Sequence, residues 1–138
     1  MNYICQEGSV ILPSAQYEDN SINILKFPES KASLTLTRDR LAGGQTTEQY
    51  LAAQIAVLRK GMKIYTITQS VVFKTHSGTD GTEFYCEIEQ SGHRLWQYIA
   101  AYHLGEHIFV ITYCLTRSFT DEDLLDWQNL KLGFTPAA

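Results

Sequence analysis

The chain has 138 residues, 44% of them apolar, and a formal net charge of -4, enough for one hydrophobic core and too little for two. No block of lysine or arginine offers a footprint for a phosphate backbone or an anionic lipid surface, which argues against nucleic-acid binding and direct membrane insertion. Three widely spaced cysteines, Cys5, Cys86 and Cys114, read as small buried residues in a reducing compartment rather than as a disulfide framework.

The opening MNYICQEGSV has neither the basic start nor the long apolar run of a secretory or lipoprotein leader, despite Cys5. No stretch approaches the roughly 20 apolar residues of a membrane-spanning helix. The expectation is a soluble, cytoplasmic protein with one domain over residues 1–138. Short strand candidates come first: SVILP, SINILKF and ASLTLTR, punctuated by the turn-like PSAQYEDN and PESK. As a strand, SINILKF turns Ile22 and Ile24 to one face and Leu25 and Phe27 to the other, so it has no wet side. In ASLTLTR, Leu34 and Leu36 alternate with Ser33, Thr35 and Thr37.

The period then changes. Leu51, Ile55 and Leu58 recur at helical spacing, Thr46 and Gln49 resemble a capping box, and Gly61 suits the stop, which predicts a helix from about Thr46 to Lys60. Four long strands are expected next: KIYTITQSVVFK, TEFYCEIEQ, RLWQYIAAYHL and HIFVITYCLT. Their connections, THSGTDG, SGH and GE, are short enough for antiparallel hairpins. A second helix follows in TDEDLLDWQNLKLGF, with Thr120 as cap, an acidic first turn, and Leu124, Trp127 and Lys131 along it. The predicted fold class is α+β, an antiparallel β-sheet meander with two helices.

Both faces of that sheet are apolar. RLWQYIAAYHL sets Leu95, Ile99 and Ala101 with Gln97 and His103 on one face, and Trp96, Tyr98, Ala100, Tyr102 and Leu104 on the other. A sheet with one solvated face alternates more cleanly. Two helices of about four turns can cover one side of six or seven strands, which leaves the second side to the N-terminal segment, a second subunit or an apolar ligand; the alternative is that strand curvature buries both faces within one subunit.

Enzyme chemistry is not signalled, and no cofactor is called for. His76, His93, His103 and His107 come without C-x-x-C or H-E-x-x-H and read as solvated loop and strand-end residues rather than metal ligands. HSGTDG reads as a turn, since no G-x-S-x-G elbow accompanies Ser77. AGGQTTEQ lacks the ending of a phosphate loop and reads as an ordinary helix cap. Glu83, Glu87 and Glu89 alternate as an edge-strand guard would.

The combination of DNSINILKFPES, ASLTLTRD, the helix YLAAQIAVLRK and a four-strand meander resembles the Eag chaperones of bacterial type VI secretion. These sit within a DcrB-like superfamily whose fold is similar to that of PsbP and Mog1 proteins. The resemblance implies a cytosolic, homodimeric, non-enzymatic chaperone. Its client would be the N-terminal apolar helices and adjoining PAAR region of a secreted effector such as an Rhs protein, with an indirect association with the VgrG spike. It also implies that Ile22 and Ile24, which match the family's S-I-N-I segment, belong to the effector-binding surface. Leu34, Leu36, Gln54 and Gln97 are added as further candidates. The alternatives are that Ile22 and Ile24 are core, or that the protein carries a small apolar ligand against Trp96, Tyr98 and Tyr102.

Overall fold

The computed structural model describes residues 1–137. Its elements, in chain order, are β1 (Asn2–Cys5), β2 (Gly8–Ile11), β3 (Asn23–Phe27), β4 (Ala32–Arg40), α1 (Thr47–Gly61), β5 (Lys63–Ile67), β6 (Val71–Lys74), β7 (Asp80–Gln90), β8 (His93–Leu104), β9 (His107–Leu115) and α2 (Asp121–Leu132). Strands β3 to β9 form one seven-stranded antiparallel sheet in the order β3-β4-β9-β8-β7-β5, with β6 also paired to β7. The fold is α+β, as the alternation of short-looped strands and two capped helices requires.

Both helices begin where the side chains dictate. Thr46 accepts from the Gln49 amide while the Gln49 side chain accepts from the Thr46 amide, and Thr120 and Asp123 repeat the arrangement. Each capping box satisfies amides that would otherwise have no partner. The β7–β8 hairpin turns through Ser91 and Gly92, both at positive φ (52° and 80°), the mirror-image turn that suits the right-handed twist of its strands.

Two features of the sheet depart from expectation. KIYTITQSVVFK is not one strand: β5 and β6 lie end to end along the same edge of β7, and Thr68 fills the gap. Its amide donates to the Tyr85 carbonyl at 2.9 Å, and its hydroxyl accepts from the Tyr85 amide at 2.9 Å. A hydroxyl side chain thus replaces one rung of the ladder and lets the chain bend there. The second departure is a separate two-stranded sheet, β1 with β2, of which only the second strand is foreshadowed by SVILP.

The helices do not share a side of the sheet. α2 covers one face, where Trp127 packs with Leu34, Ala100, Tyr102, Ile111, Tyr113 and Leu115. α1 covers the other, where Leu51 packs with Phe84, Cys86, Ile99, Ala101, Ile108 and Val110. This is why both faces of β8 and β9 carry apolar residues. Close approach is built into the α2 side at Gly81, where any Cβ would overlap the Phe73 ring.

The three glutamates of β7 guard no edge, because β7 is flanked by β8 on one side and by β5 and β6 on the other. Glu83 instead accepts from Lys131 Nζ (2.8 Å) and Trp127 Nε1 (2.9 Å), tying α2 to the sheet. Glu87 pairs with Arg94, and Glu89 accepts from the Tyr65 hydroxyl. The cysteines divide as well: Cys86 is buried, Cys114 is half-buried and Cys5 is exposed.

Candidate functional site: the open half of the α1 face

Strand register decides which candidates lie together. β3 pairs with β4 so that Leu25 opposes Leu34 and Ile24 opposes Thr35. Directly opposed residues share a face, and two rows can be followed across the sheet from there. Ile24, Thr35, Thr112, Ile99 and Phe84 form one, and Lys26, Ser33, Cys114, Gln97 and Cys86 the next. Both rows lie on the α1 face. Along the first, exposure falls from 60% at Ile24 to 3% at Phe84, because α1 packs mainly over β8 and β5 and its Leu51 lies among residues of β7, β8 and β9.

The half that α1 leaves open is a shallow trough. Its floor is half-buried and chemically uniform: Ser33, Thr35, Thr37, Thr112, Cys114 and Gln97 are all neutral groups with hydroxyl, thiol or amide ends. Two cavities of about 570 and 210 Å³ occupy it and share Gln97 and Thr112 in their walls. Gln54 of α1 lines the smaller cavity with Val57 and Leu58, so Gln54 and Gln97 border the same space. Beyond that floor Ile24 continues the first row onto β3, and Ile22 lies just before the strand, at 60% and 63% exposure.

Leu34 and Leu36 do not join that surface. They point to the α2 face, where Leu34 is 6% exposed and Leu36 packs beside it. The reason is the one-residue alternation of a strand: Ala32 and Leu34 are buried in the α2-face cluster, so their partners Phe27 and Leu25 share that face, and Ile24 turns to the other. Tyr102 is fully buried, and Tyr98 stacks on Trp127 at 5.4 Å. Of the three residues named for a carried ligand, Tyr98 and Tyr102 thus pack within the α2-face cluster, and Trp96 is half-buried beside Arg94. The residues that sequence reasoning missed are Ser33, Thr35, Thr37, Thr112 and Cys114; the signal of the first three was the polar half of the ASLTLTR alternation and that of the last two their alternation with Ile111, Tyr113 and Leu115 in HIFVITYCL, legible only once the face was known.

The floor of the trough is neutral, and the charges near it are Lys26 and Lys31 in the wall of its larger cavity. Burial, with the neighbouring Cys114 and Glu87, pushes the Cys86 thiol up to about 12, and burial also raises Cys114. Both stay protonated at neutral pH. Gln97 bridges them, accepting from Cys86 Sγ and donating to Cys114 Sγ at 3.6 Å each. The Tyr50 hydroxyl, raised to about 12 by burial and by its bond to Asp39, remains a donor. Such a surface binds by shape, burial and neutral hydrogen bonds.

A family model described as DcrB matches residues 7–132. The chain belongs to the DcrB family. The matched span runs from the first hairpin to the end of α2, so both the trough and the α2 core lie within it. The fold of this DcrB-family protein is similar to the crystal structure of PA94, a protein of unknown function from Pseudomonas aeruginosa. That likeness covers 100% of this chain and 97% of the other, at a TM-score of 0.74 and 20% identity. No curated protein matches the sequence. Among the described residues, no helix is long and apolar enough to cross a membrane.

Proposed function

We propose that this DcrB-family protein is a non-enzymatic chaperone or adaptor. It binds the N-terminal apolar helices of a type VI secretion effector, with their adjoining PAAR region, and shields them in the cytoplasm before export. The observation that carries the reading is the trough: exposed Ile22 and Ile24 beside a neutral floor of Thr35, Thr37, Thr112 and Gln97, with Gln54 opposite. Membrane helices associate through close packing, small residues and Ser, Thr, Asn or Gln hydrogen bonds, and this floor offers that chemistry in water.

Energetics support the need for it. Each fully buried Leu, Ile or Phe gains roughly 1.5–3 kcal/mol over exposure, so an unshielded apolar helix of about 20 residues aggregates or inserts prematurely. An isoleucine rim supplies apolar contact area, and the half-wet floor limits the affinity so that the client can leave. A homodimer, as the family resemblance implies, would present two such troughs to a client with more than one helix.

The test is co-purification with an effector fragment that contains the apolar helices, beside the same fragment with them deleted. Capture of the first alone supports the reading. Equal capture of both, or of neither, overturns it.

A further inference from the structure

β3 ends the seven-stranded sheet, and among the described residues its outer edge meets no other strand. Beyond its ladder with β4, the main chain of Asn23–Phe27 has one hydrogen-bond contact among the described residues, from Ser30 Oγ to the Phe27 carbonyl at 3.5 Å. Native sheets blunt such edges with bulges, charge or cover. The opposite edge follows that rule, with a register shift between Ile64 and Thr66 in β5. β3 does not: it is regular, all five of its residues are exposed, and Lys26 is its one charge.

A cavity lies on each side of this edge, and Lys26, Phe27 and Pro28 line both. The cavity on the α2 face, about 860 Å³, exposes mostly apolar surface from residues such as Phe27, Tyr113 and Leu130, and has Glu29 and Asp126 in its wall. The one on the α1 face, about 570 Å³, has Lys26 and Lys31 in its wall and no carboxylate. Neither lysine has an ion-pair partner among the described residues (the ion pairs present involve other side chains).

An extended chain turns successive side chains to opposite faces. A strand laid along this edge would direct every second residue toward the apolar cavity and the others toward the two lysines. We infer that the free edge of β3 is a strand-addition site for an extended polypeptide segment in which apolar residues alternate with acidic or hydroxyl-bearing ones. Main-chain hydrogen bonds to β3 supply affinity, and the two unlike cavities supply register and specificity. That this segment belongs to the same client, adjoining its apolar helices, rests on the function proposed above; the chemistry of the edge does not.

The probe is a capped peptide of about six residues alternating valine with glutamate and threonine, added to the full chain while amide exchange is followed residue by residue. Alternate amides of Asn23–Phe27 should gain protection of about tenfold or more, without protection at the β5 edge. The double variant Lys26→Glu with Lys31→Glu should weaken the peptide about tenfold, and a peptide with lysine in place of glutamate should recover it. Unchanged β3 amides at saturating peptide, or binding indifferent to both charge changes, would overturn the inference. So would β3 amides already protected in a concentration-dependent way without peptide, because a second copy would then hold the edge. Capture of apolar helices by the same double variant separates the two proposals: helix capture that persists without any β3 protection leaves the chaperone reading standing and removes this one.

Discussion

The two faces of the sheet are built from the same strands and covered by one helix each, yet they end in different states. Under α2, aromatic rings interlock: Trp127 stacks on Tyr98 and Tyr113, and Phe134 packs on Tyr102 and Phe109. The polar groups there are paired, Lys131 with Glu83 and the Tyr102 hydroxyl with the Lys131 carbonyl at 2.7 Å. Under α1, the same strands run out from a buried core at Phe84 and Ile99 into a half-wet floor and an exposed isoleucine rim. A face closed by large rings and satisfied polar groups maximises stability. A face closed over half its width keeps surface for something else.

That contrast yields an ordered set of expected effects. The largest belong to the α2 face. Trp127→Ala should cost about 3–5 kcal/mol in denaturant melts, since it empties the centre of the aromatic cluster. Glu83→Ala should cost about 3 kcal/mol, because it strands Lys131, whose side chain is 7% exposed, without its partner. If either variant melts like the native chain, the α2 face is not the stabilising one. Leu34→Ala should follow at about 2–4 kcal/mol. Its effect on client capture should vanish once the folded fraction is accounted for.

Acid titration gives the next effect. The Arg117 guanidinium beside Asp123, aided by the Thr120 amide and hydroxyl, holds that carboxyl down at about 2 from an ordinary 3.8. The folded pKa is the lower one, so the stabilisation is complete above about pH 4 and is lost as pH falls through about 2. It should amount to about 1–2 kcal/mol, and stability measured across that window should lose the corresponding slope in Asp123→Asn.

The smallest stability effects belong to the trough, and there function should part from folding. Ile22→Asp and Ile24→Asp should shift the melt by no more than about 0.5 kcal/mol, since both side chains are exposed, while lowering capture of apolar helices by about tenfold or more. Loss of cooperative folding in both would return the two isoleucines to the core. Thr112→Val should leave the fold intact and change capture only modestly, because a valine keeps the shape and removes one neutral hydrogen bond of about 1 kcal/mol.

Much of this was legible in the sequence. The caps at Thr46 and Thr120 specify both helices, because the amides they satisfy lie within three residues. The β7–β8–β9 meander follows from short loops and strong alternation. The break at Thr68 was not legible, since it depends on a hydroxyl bonding to Tyr85 of a different strand. The site was half legible. Ile22 and Ile24 are singled out by the resemblance of their S-I-N-I segment to the Eag chaperones, and Leu34 and Leu36 are added beside them as further apolar residues.

That grouping fails because a sequence specifies alternation but not which face the alternation serves. Local chemistry determined the elements, their ends and the two-sided apolar character of the strands. Only the tertiary structure decided that the helices take opposite faces, that Leu25 rather than Ile24 pairs with Leu34, and that β3 remains an open edge. Each of those outcomes turns on long-range register, where a slip of one residue reverses every side chain from core to surface.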